Sequence, residues 1–295
     1  MDQANKLRDI VKQRESAKPK ESMAARVITV TSGKGGVGKS NLTLNLAIQL
    51  RKLDMRVTII DADLGLANIE VLSGIIPRYN FGDVVNSKMS LESALTDGPL
   101  GVKFLSGGAG LTTLAHLTEK QVQTVISSFG MLDDISDIIL IDTGAGISKN
   151  VLNFVKASSE TILIVTPEPT SIADAYAIIK SIKRENDIIP ALKIVVNLVG
   201  SFNEGVDIFE KLEKVSEQFL GIKLESLGSI PLDQNMPRAV KRQEPLSLSF
   251  PNSESAKGIH NISLRLLNME PKYTQSQGGI TGFLNRLAGS FRIYA

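Results

Sequence analysis

The sequence has no cysteine, no tryptophan and only two histidines, His116 and His260. Without cysteine the chain forms no disulfide, builds no thiolate metal site and offers no cysteine nucleophile. Neither histidine has a carboxylate partner in a recognisable motif, so the sequence indicates no histidine-based catalysis. These absences exclude the sulfur-based and histidine-based classes of active site.

Strong charge bias and long apolar runs are also missing. Lysine and arginine together number 33 against 31 acidic residues, which gives a net charge of +2. A nearly balanced charge does not indicate a general affinity for polyanions, so we expect no nucleic-acid partner. No apolar run approaches the roughly 20 residues that a membrane-spanning helix needs. We therefore expect a cytoplasmic protein that contacts a membrane only peripherally.

Apolar strand patterns alternate with helical patterns along the chain. With 295 residues, 42% of them hydrophobic, the composition suits one large domain with appendages. The alternation predicts an α/β fold, with a mainly parallel twisted sheet covered by helices on both faces. We expect an N-terminal tail at 1–26, a main domain at 27–270, and a linker with a C-terminal helix at 271–295.

The stretch from Val27 to Ser40, VITVTSGKGGVGKS, combines a β-branched strand, a glycine-rich loop and the start of a helix. It satisfies G-x-x-x-x-G-K-[ST], the P-loop pattern, with the flanks that this motif requires. Glycines let backbone N–H groups form a nest for phosphate oxygens, and the helix N-terminus adds partial positive charge. Lys39 supplies a charge to the β- and γ-phosphates, and the Ser40 hydroxyl is a ligand for Mg²⁺. The predicted nucleotide-binding residues of the loop are Gly33, Lys34, Gly35, Gly36, Val37, Gly38, Lys39, Ser40 and Asn41.

Carboxylates stand at the carboxyl ends of two further apolar strands. Asp61 and Asp63 follow the second apolar run, and Asp142 follows a later one. Ligand sites in parallel sheets lie at these ends, and a carboxylate next to a P-loop suits Mg²⁺. We expect Asp61 and Asp142 to form the metal site together with Ser40. Capping of a helix N-terminus is the alternative role for Asp63.

These motifs together resemble the MinD/ParA family, whose P-loop carries an additional lysine. Lys34 gives the loop the form K-G-G-V-G-K-S, which is similar to the deviant Walker A loop of that family. The segment DADLG at 61–65 resembles its switch I, and DTGAG at 142–146 resembles its switch II with Gly144 in place of the usual proline. The resemblance implies an ATPase that uses ATP and Mg²⁺ and forms a homodimer on ATP binding. It assigns catalytic roles to Lys34, which reaches the partner's nucleotide, to Lys39, and to Asp63, which orients the attacking water.

The same resemblance assigns contacts to the γ-phosphate and the base. Gly146 stands where a backbone N–H faces the γ-phosphate. Asn197 ends a V-x-N element and is implied to hydrogen-bond adenine, to which an amide offers both donor and acceptor. Pro231 and Asp233 match a P-x-D loop beside the base. Leu198 stands where relatives often carry arginine, so stacking from that position is lost.

The N-terminal tail contains a short sequence element that resembles one found in a single branch of the family. Its apolar residues recur at helical spacing, while composition alone favours a disordered basic tail. The element DQAxxLR resembles the one with which the flagellar branch of the family, FlhG/FleN, stimulates FlhF, a GTPase related to the signal-recognition particle. The implied FlhF-binding residues are Asp2, Gln3, Ala4, Leu7 and Arg8.

The C-terminal tail is predicted to be an amphipathic helix behind a pair of glycines. Its apolar face comprises Ile280, Phe283, Leu284, Leu287 and Phe291. A short aromatic and basic helix of this kind predicts interfacial binding to an anionic membrane surface. The alternative is a helix docked on the domain's own surface. Both hold if ATP-driven dimerisation releases the helix, since two helices per dimer supply avidity.

The resemblance as a whole implies an ATP-dependent, membrane-associating switch that regulates flagellar number and placement. Its implied partners are a second copy of the chain, FlhF, and flagellar basal-body (C-ring) components or a flagellar transcription activator. Its implied location is the inner face of the cell membrane, at the cell pole or flagellar base. Two alternatives stay open. A MinD-type cell-division ATPase usually begins near its first strand, unlike this chain, and a ParA-type DNA-partition ATPase does not fit the balanced charge and aromatic tail.

Overall fold

The computed structural model describes residues 24–63, 68–86, 88–107, 117–185, 189–269 and 278–292. The strands are β1 Arg26–Ser32, β2 Val57–Ala62, β3 Thr96–Asp97, β4 Lys103–Ser106, β5 Ile138–Ala145, β6 Glu160–Val165, β7 Ala191–Val199 and β8 Glu225–Pro231. They form one sheet in the order β3-β4-β2-β5-β1-β6-β7-β8. Every neighbouring pair is parallel except β3 and β4, which are antiparallel. The predicted mainly parallel sheet is thus confirmed.

Helices connect the strands and cover both faces of the sheet. They are α1 Lys39–Lys52, α2 Asn68–Ser73, α3 Phe81–Val85, α4 Leu91–Ala94, α5 Glu119–Phe129, α6 Met131–Ile135, α7 Lys149–Ala157, α8 Pro169–Glu185, α9 Phe202–Leu220, α10 Asn235–Arg242, α11 Leu246–Ser249, α12 Glu254–Asn268 and α13 Gly279–Arg292. A 3₁₀ turn, Pro99–Gly101, precedes β4.

The central strands β1, β2 and β6 are buried at every position, and mostly apolar, because each face of the sheet meets a helix layer. In β6, Ile162 and Ile164 join the core beneath α1 and α12, while Leu163 and Val165 join the core beneath α8 and α9. This continuous apolar pattern allowed the strands to be predicted. The short edge strand β3 carried no such signal, since its two residues pair only with β4.

An ion-pair network lies at the amino ends of the strands. Arg26 donates to both carboxylate oxygens of Glu160, each over 2.6 Å. Lys193 lies 3.4 Å from Glu160 and 2.6 Å from Glu225. The side chains of Arg26, Glu160 and Lys193 are almost fully buried, and with the partly exposed Glu225 the two cations are balanced by two carboxylates.

The C-terminal helix α13 packs on the domain rather than extending from it. Its apolar residues belong to the same core as α5, α6 and β1, and Phe283 stacks on Phe154 with ring centroids 6.4 Å apart. Arg286 donates to the carbonyl of Ala157 over 2.7 Å. Among the described residues, no helix combines the length and apolarity needed to cross a membrane.

Candidate nucleotide-binding site

The glycine-rich loop joins the end of β1 to the start of α1 and is shaped by backbone that only glycine adopts readily. Gly36 and Gly38 have φ of +80° and +89°. A Cβ on Gly38 would lie 2.5 Å from the Asn197 amide nitrogen, and one on Gly33 would lie 2.5 Å from the backbone of Asp174. The loop is therefore held in shape by its neighbours before any ligand binds.

Asp142 is the centre of the site's polar contacts. Its Oδ1 accepts from the Lys39 ammonium at 3.1 Å and from the Thr43 hydroxyl at 2.9 Å, and its Oδ2 accepts from the Ser40 hydroxyl at 2.6 Å. The carboxyl is fully buried, and this burial raises its pKa against the opposing effects of the Lys39 charge and the hydrogen bonds. The structure thus joins the two P-loop residues to the strand-end carboxylate, as the sequence predicted.

Asp61 lies beside Asp142 on the neighbouring strand, because the two residues are in register across β2 and β5. Its Oδ1 accepts from the backbone N–H of Asp63 over 3.0 Å, while its buried Oδ2 has no hydrogen-bond partner among the described residues. Burial, reinforced by the negative charge of Asp142, raises the pKa of Asp61 to about 7. A buried carboxylate oxygen without a partner is open to a cation or a water molecule.

This donor set fits Mg²⁺, which prefers oxygen ligands and usually keeps several waters while binding one or two carboxylates and the substrate phosphates. No group of three or more acidic or histidine side chains that would hold a metal occurs within the described ranges. The two carboxylates, Asp61 and Asp142, and the Ser40 hydroxyl therefore match a nucleotide-dependent metal site better than a closed protein cage.

Asp63 lies at the end of β2 and accepts a hydrogen bond from the Asn68 amide over 3.3 Å. A Cβ on Gly144 would lie 3.6 Å from an Asp63 carboxylate oxygen, so the two switch segments face each other. Capping of α2, the alternative role for Asp63, stays a prediction, because residues 64–67 just before that helix lie outside the described residues.

Lys34 does not join the Lys39–Asp142 cluster. Its ammonium pairs with the Glu168 carboxylate and lies 3.3 Å from the Thr170 hydroxyl, both in the segment that opens α8. The side chains of Lys34 and Glu168 are 39% and 59% exposed. The additional lysine is therefore held on the surface of the site by a pair that water screens.

Gly146 and Asn197, which were predicted to contact the nucleotide, hydrogen-bond to other residues of the chain. The N–H of Gly146 donates to the Ser32 carbonyl over 2.8 Å, and the Asn197 amide donates to the Val37 carbonyl over 2.8 Å. Both residues thus brace the P-loop here. Contact with a γ-phosphate or a base, as the resemblance implied, stays a prediction.

Hydrogen bonds to α12 hold the loop after β8 in place. Asp233 accepts from the backbone N–H groups of Asn235 and Ser255 over 2.8 and 3.1 Å. Burial opposes the charge of Asp233, but these hydrogen bonds outweigh it and lower its pKa. The Pro231 carbonyl accepts from the Ser255 hydroxyl over 2.7 Å. Pro231 and Asp233 thus fix the loop to α12 beside the carboxyl end of β7.

Sequence reasoning missed Thr43, Glu168 and Asp174. Thr43 lies one helical turn after Lys39, so the spacing of the helix already placed its hydroxyl beside Asp142. Glu168 and Asp174 lie far along the chain, and only the fold brings them to the P-loop.

The C-terminal helix α13 lies away from this site. The apolar residues of α13, predicted to face a membrane, are buried against the domain in this structure: Ile280, Phe283, Leu284, Leu287 and Phe291. This arrangement is the docked alternative. The predicted FlhF-binding element, which comprises residues 2–8, lies outside the described residues.

A model of the ParA family, described as NUBPL iron-transfer P-loop NTPase, matches residues 23–267. That range covers most of the sheet and its helices together with the P-loop and both switch segments. The chain belongs to the ParA family of P-loop ATPases. Iron transfer through thiolates does not follow for this ParA-family member, since the sequence contains no cysteine.

Individual relatives place this ATPase near flagellar and cell-division proteins. It is 37% identical over 262 residues to the antiactivator FleN of Pseudomonas aeruginosa, covering 89% of this chain and 93% of FleN. It is 32% identical to the flagellum site-determining protein YlxH of Helicobacter pylori, covering 81% of this chain and 80% of YlxH. The MinC:MinD cell division protein complex of Aquifex aeolicus matches with a TM-score of 0.65 and 26% identity, over 85% of this chain and 98% of that one.

Proposed function

We propose that this ATPase is a nucleotide-gated switch that regulates flagellar number and placement. The observation that carries the proposal is the pairing of a complete phosphate and metal site around Asp142 with an additional lysine, Lys34, held outside that site. The similarity to FleN and YlxH over at least four fifths of the chain supports the flagellar assignment.

In the proposed cycle, ATP binds with its phosphates in the P-loop nest, and the Lys39 ammonium pairs with their negative charge. Lys39 then leaves Asp142, which with Ser40 and Asp61 would hold Mg²⁺. When bound there, the ion would supply positive charge to neutralise the phosphates. Asp63 orients the attacking water, and Gly144 lies beside its carboxylate. Asn197 turns from Val37 towards the base, and the Pro231–Asp233 loop lines the base from its other side.

Lys34 supports a dimeric active state. Its pairing with Glu168 is exposed on both sides, and exposed ion pairs contribute only about 0–1 kcal/mol, so little energy holds it in place. A phosphate of a second subunit's nucleotide would offer a stronger partner. We therefore propose that two ATP-bound subunits close face to face, with each Lys34 reaching the other's nucleotide.

Membrane association is proposed to follow dimerisation. The apolar face of α13 is buried in this structure and so is not available to lipid. Release of the helix in the ATP-bound dimer would expose two such helices at once, which raises effective affinity for an anionic bilayer without new contacts. Hydrolysis would reset the cycle. The proposed location is the inner face of the cell membrane near the pole or flagellar base.

The proposed partners are FlhF, contacted through Asp2, Gln3, Ala4, Leu7 and Arg8, and flagellar basal-body components or a transcription activator. The test is the GTP turnover of purified FlhF with and without the full chain. We expect stimulation that Arg8→Glu abolishes and that Arg14→Glu, outside the element, preserves. No stimulation by the parent chain would remove FlhF from the proposal, and equal stimulation by both variants would contradict the role of the 2–8 element in it.

A second test addresses the switch itself. Asp63→Ala should lower ATP turnover by about 100-fold or more, as loss of a group that positions the attacking water does, and should accumulate an ATP-bound dimer. Gel filtration at saturating ATP measures the dimer. A monomeric Asp63→Ala protein under these conditions would contradict the proposed role of Asp63.

A further inference from the structure

The N-terminus of the docked helix α13 is capped by a carboxylate from a distant part of the chain. The Oδ1 atom of Asp133, in α6, accepts the backbone N–H of Ile280 over 2.9 Å. Helix caps usually come from the residue just before the helix. Here the cap belongs to the domain, so the capping bond exists only while the helix is docked.

The Asp133 carboxylate is positioned from inside the domain. The same oxygen accepts the backbone N–H of Ala25, next to the start of β1, over 3.1 Å. Its negative charge faces the positive end of the helix dipole. The domain therefore presents a fixed anionic cap at the place where α13 begins.

Gly279 allows the helix to approach this cap. Its φ is +74°, a left-handed value that other residues adopt only with strain. A Cβ at this position would lie 2.6 Å from the Asp133 Oδ2 atom. Any side chain at 279 would therefore collide with the carboxylate.

The polar contacts of α13 distinguish its docked state from a membrane-bound one. Its apolar face is removed from water by either the domain core or a bilayer, so that face alone favours neither strongly. An equilibrium shifts only by interactions that differ between its states. The Asp133 cap and the bond from Arg286 to the Ala157 carbonyl are such interactions.

We propose that Asp133 is the latch of the C-terminal helix. It is a positioning residue that raises the free energy needed to release α13 from the domain. The latch rests on the proposed function only for its consequence, which is that the released helix binds a membrane. The docking itself is measured without nucleotide or lipid, so it is tested separately.

The first test is hydrogen exchange of the α13 amides in the nucleotide-free full chain. Asp133→Asn keeps an oxygen that can accept the Ile280 N–H but removes the negative charge facing the helix N-terminus, so exchange should speed up about 2- to 5-fold. Asp134→Asn is the matched control, since it removes an exposed negative charge from the neighbouring position of α6. Equal exchange in the two variants would overturn the latch and leave the helix held by its apolar face.

The second test uses glycine and does not touch the carboxylate. Gly279→Ala should speed exchange of the same amides by at least as much as Asp133→Asn, because the new methyl group meets the carboxylate. Gly289→Ala, in the same helix with open space around its Cβ position, should leave exchange unchanged or slower. Undisturbed docking in Gly279→Ala would likewise contradict the latch.

A final measurement separates the latch from the proposed function. Asp133→Asn and Gly279→Ala are sedimented with vesicles of phosphatidylglycerol and phosphatidylethanolamine without ATP. Binding by both variants but not by Asp134→Asn supports latch and membrane switch together. Faster exchange without vesicle binding supports the latch and contradicts the membrane arm of the proposed function.

Discussion

The exposed pair of Lys34 and Glu168 holds the additional lysine only weakly. Lys34→Ala should lower ATP turnover about 100-fold or more, because removing a charge that stabilises the transition state typically costs that much. ATP binding should persist, since Lys39 and the backbone nest remain. Turnover and binding of a fluorescent ATP analogue measure the two effects.

Glu168→Gln is the companion variant. It keeps Lys34 but weakens its resting partner, so turnover should stay the same or rise by no more than about fivefold, the equivalent of the 1 kcal/mol upper value for an exposed pair. A collapse of turnover in Glu168→Gln comparable to that in Lys34→Ala would show that the pair itself is needed for catalysis.

Burial of the Asp61 carboxylate lowers the stability of the fold as pH rises. Its folded-state pKa of about 7 lies above the ordinary value of 3.8, so its contribution to stability is lost as pH rises through that interval. Asp61→Asn stays neutral throughout. Without Mg²⁺ and nucleotide, the variant's advantage in unfolding free energy should grow by about 2 kcal/mol between pH 5.5 and pH 8.5. Denaturant unfolding at both pH values measures it, and a pH-independent difference would contradict the raised pKa.

The sequence predicted most of the site because its residues are close along the chain or stand at strand ends. The P-loop, Asp61 and Asp142 follow from such local patterns. The partner of Lys34 does not, since Glu168 lies 134 residues away and only the adjacency of β1 and β6 brings the two together. The state of Gly146 and Asn197 was equally beyond prediction, because a motif gives a residue's role with ligand and not its contacts without one.

At the scale of elements, α13 shows what hydrophobic periodicity predicts about a helix and what it does not. Its spacing correctly predicted a helix and the apolar face. Periodicity does not say what covers an apolar face, since a core, a bilayer and a partner all remove it from water. The glycine pair before the helix suggested a hinge, whereas the structure gives Gly279 the additional role of making room for Asp133.

Phe283 tests the packing of this helix. Its side chain is 2% exposed and stacks on Phe154. Phe283→Asp replaces a buried ring with a charge. It should lower the free energy of unfolding by about 3–5 kcal/mol or undock α13. It should also abolish vesicle binding in the presence of ATP. Asn285→Asp adds the same charge on the exposed side of α13 and should change stability by less than about 0.5 kcal/mol.

At the scale of the whole molecule, stability and chemistry are divided between the two ends of the sheet. The Arg26–Glu160–Lys193 network closes the amino ends, and the nucleotide site occupies the carboxyl ends. The alternating strand and helix pattern predicted such a sheet. It did not predict the network, because its charged residues stand in strands whose pattern indicated only burial.

Glu160→Gln should therefore destabilise the chain without altering nucleotide affinity. Removing one partner leaves two buried cations underpaired, which costs about 3–5 kcal/mol. Glu225→Gln should cost less, since Glu225 is 24% exposed. Denaturant unfolding and ATP binding of the folded fraction measure the two quantities. A large loss of ATP affinity in folded Glu160→Gln would contradict the division between the two ends.

The central claim is that ATP gates membrane association of this ATPase. Its most direct test is co-sedimentation of the full chain with anionic vesicles at saturating ATP and at saturating ADP, with Lys34→Ala alongside. We predict that the parent chain sediments with vesicles in ATP and stays in solution in ADP, and that Lys34→Ala stays in solution in both. Equal sedimentation in ATP and ADP, or ATP-dependent sedimentation of Lys34→Ala, would contradict the account.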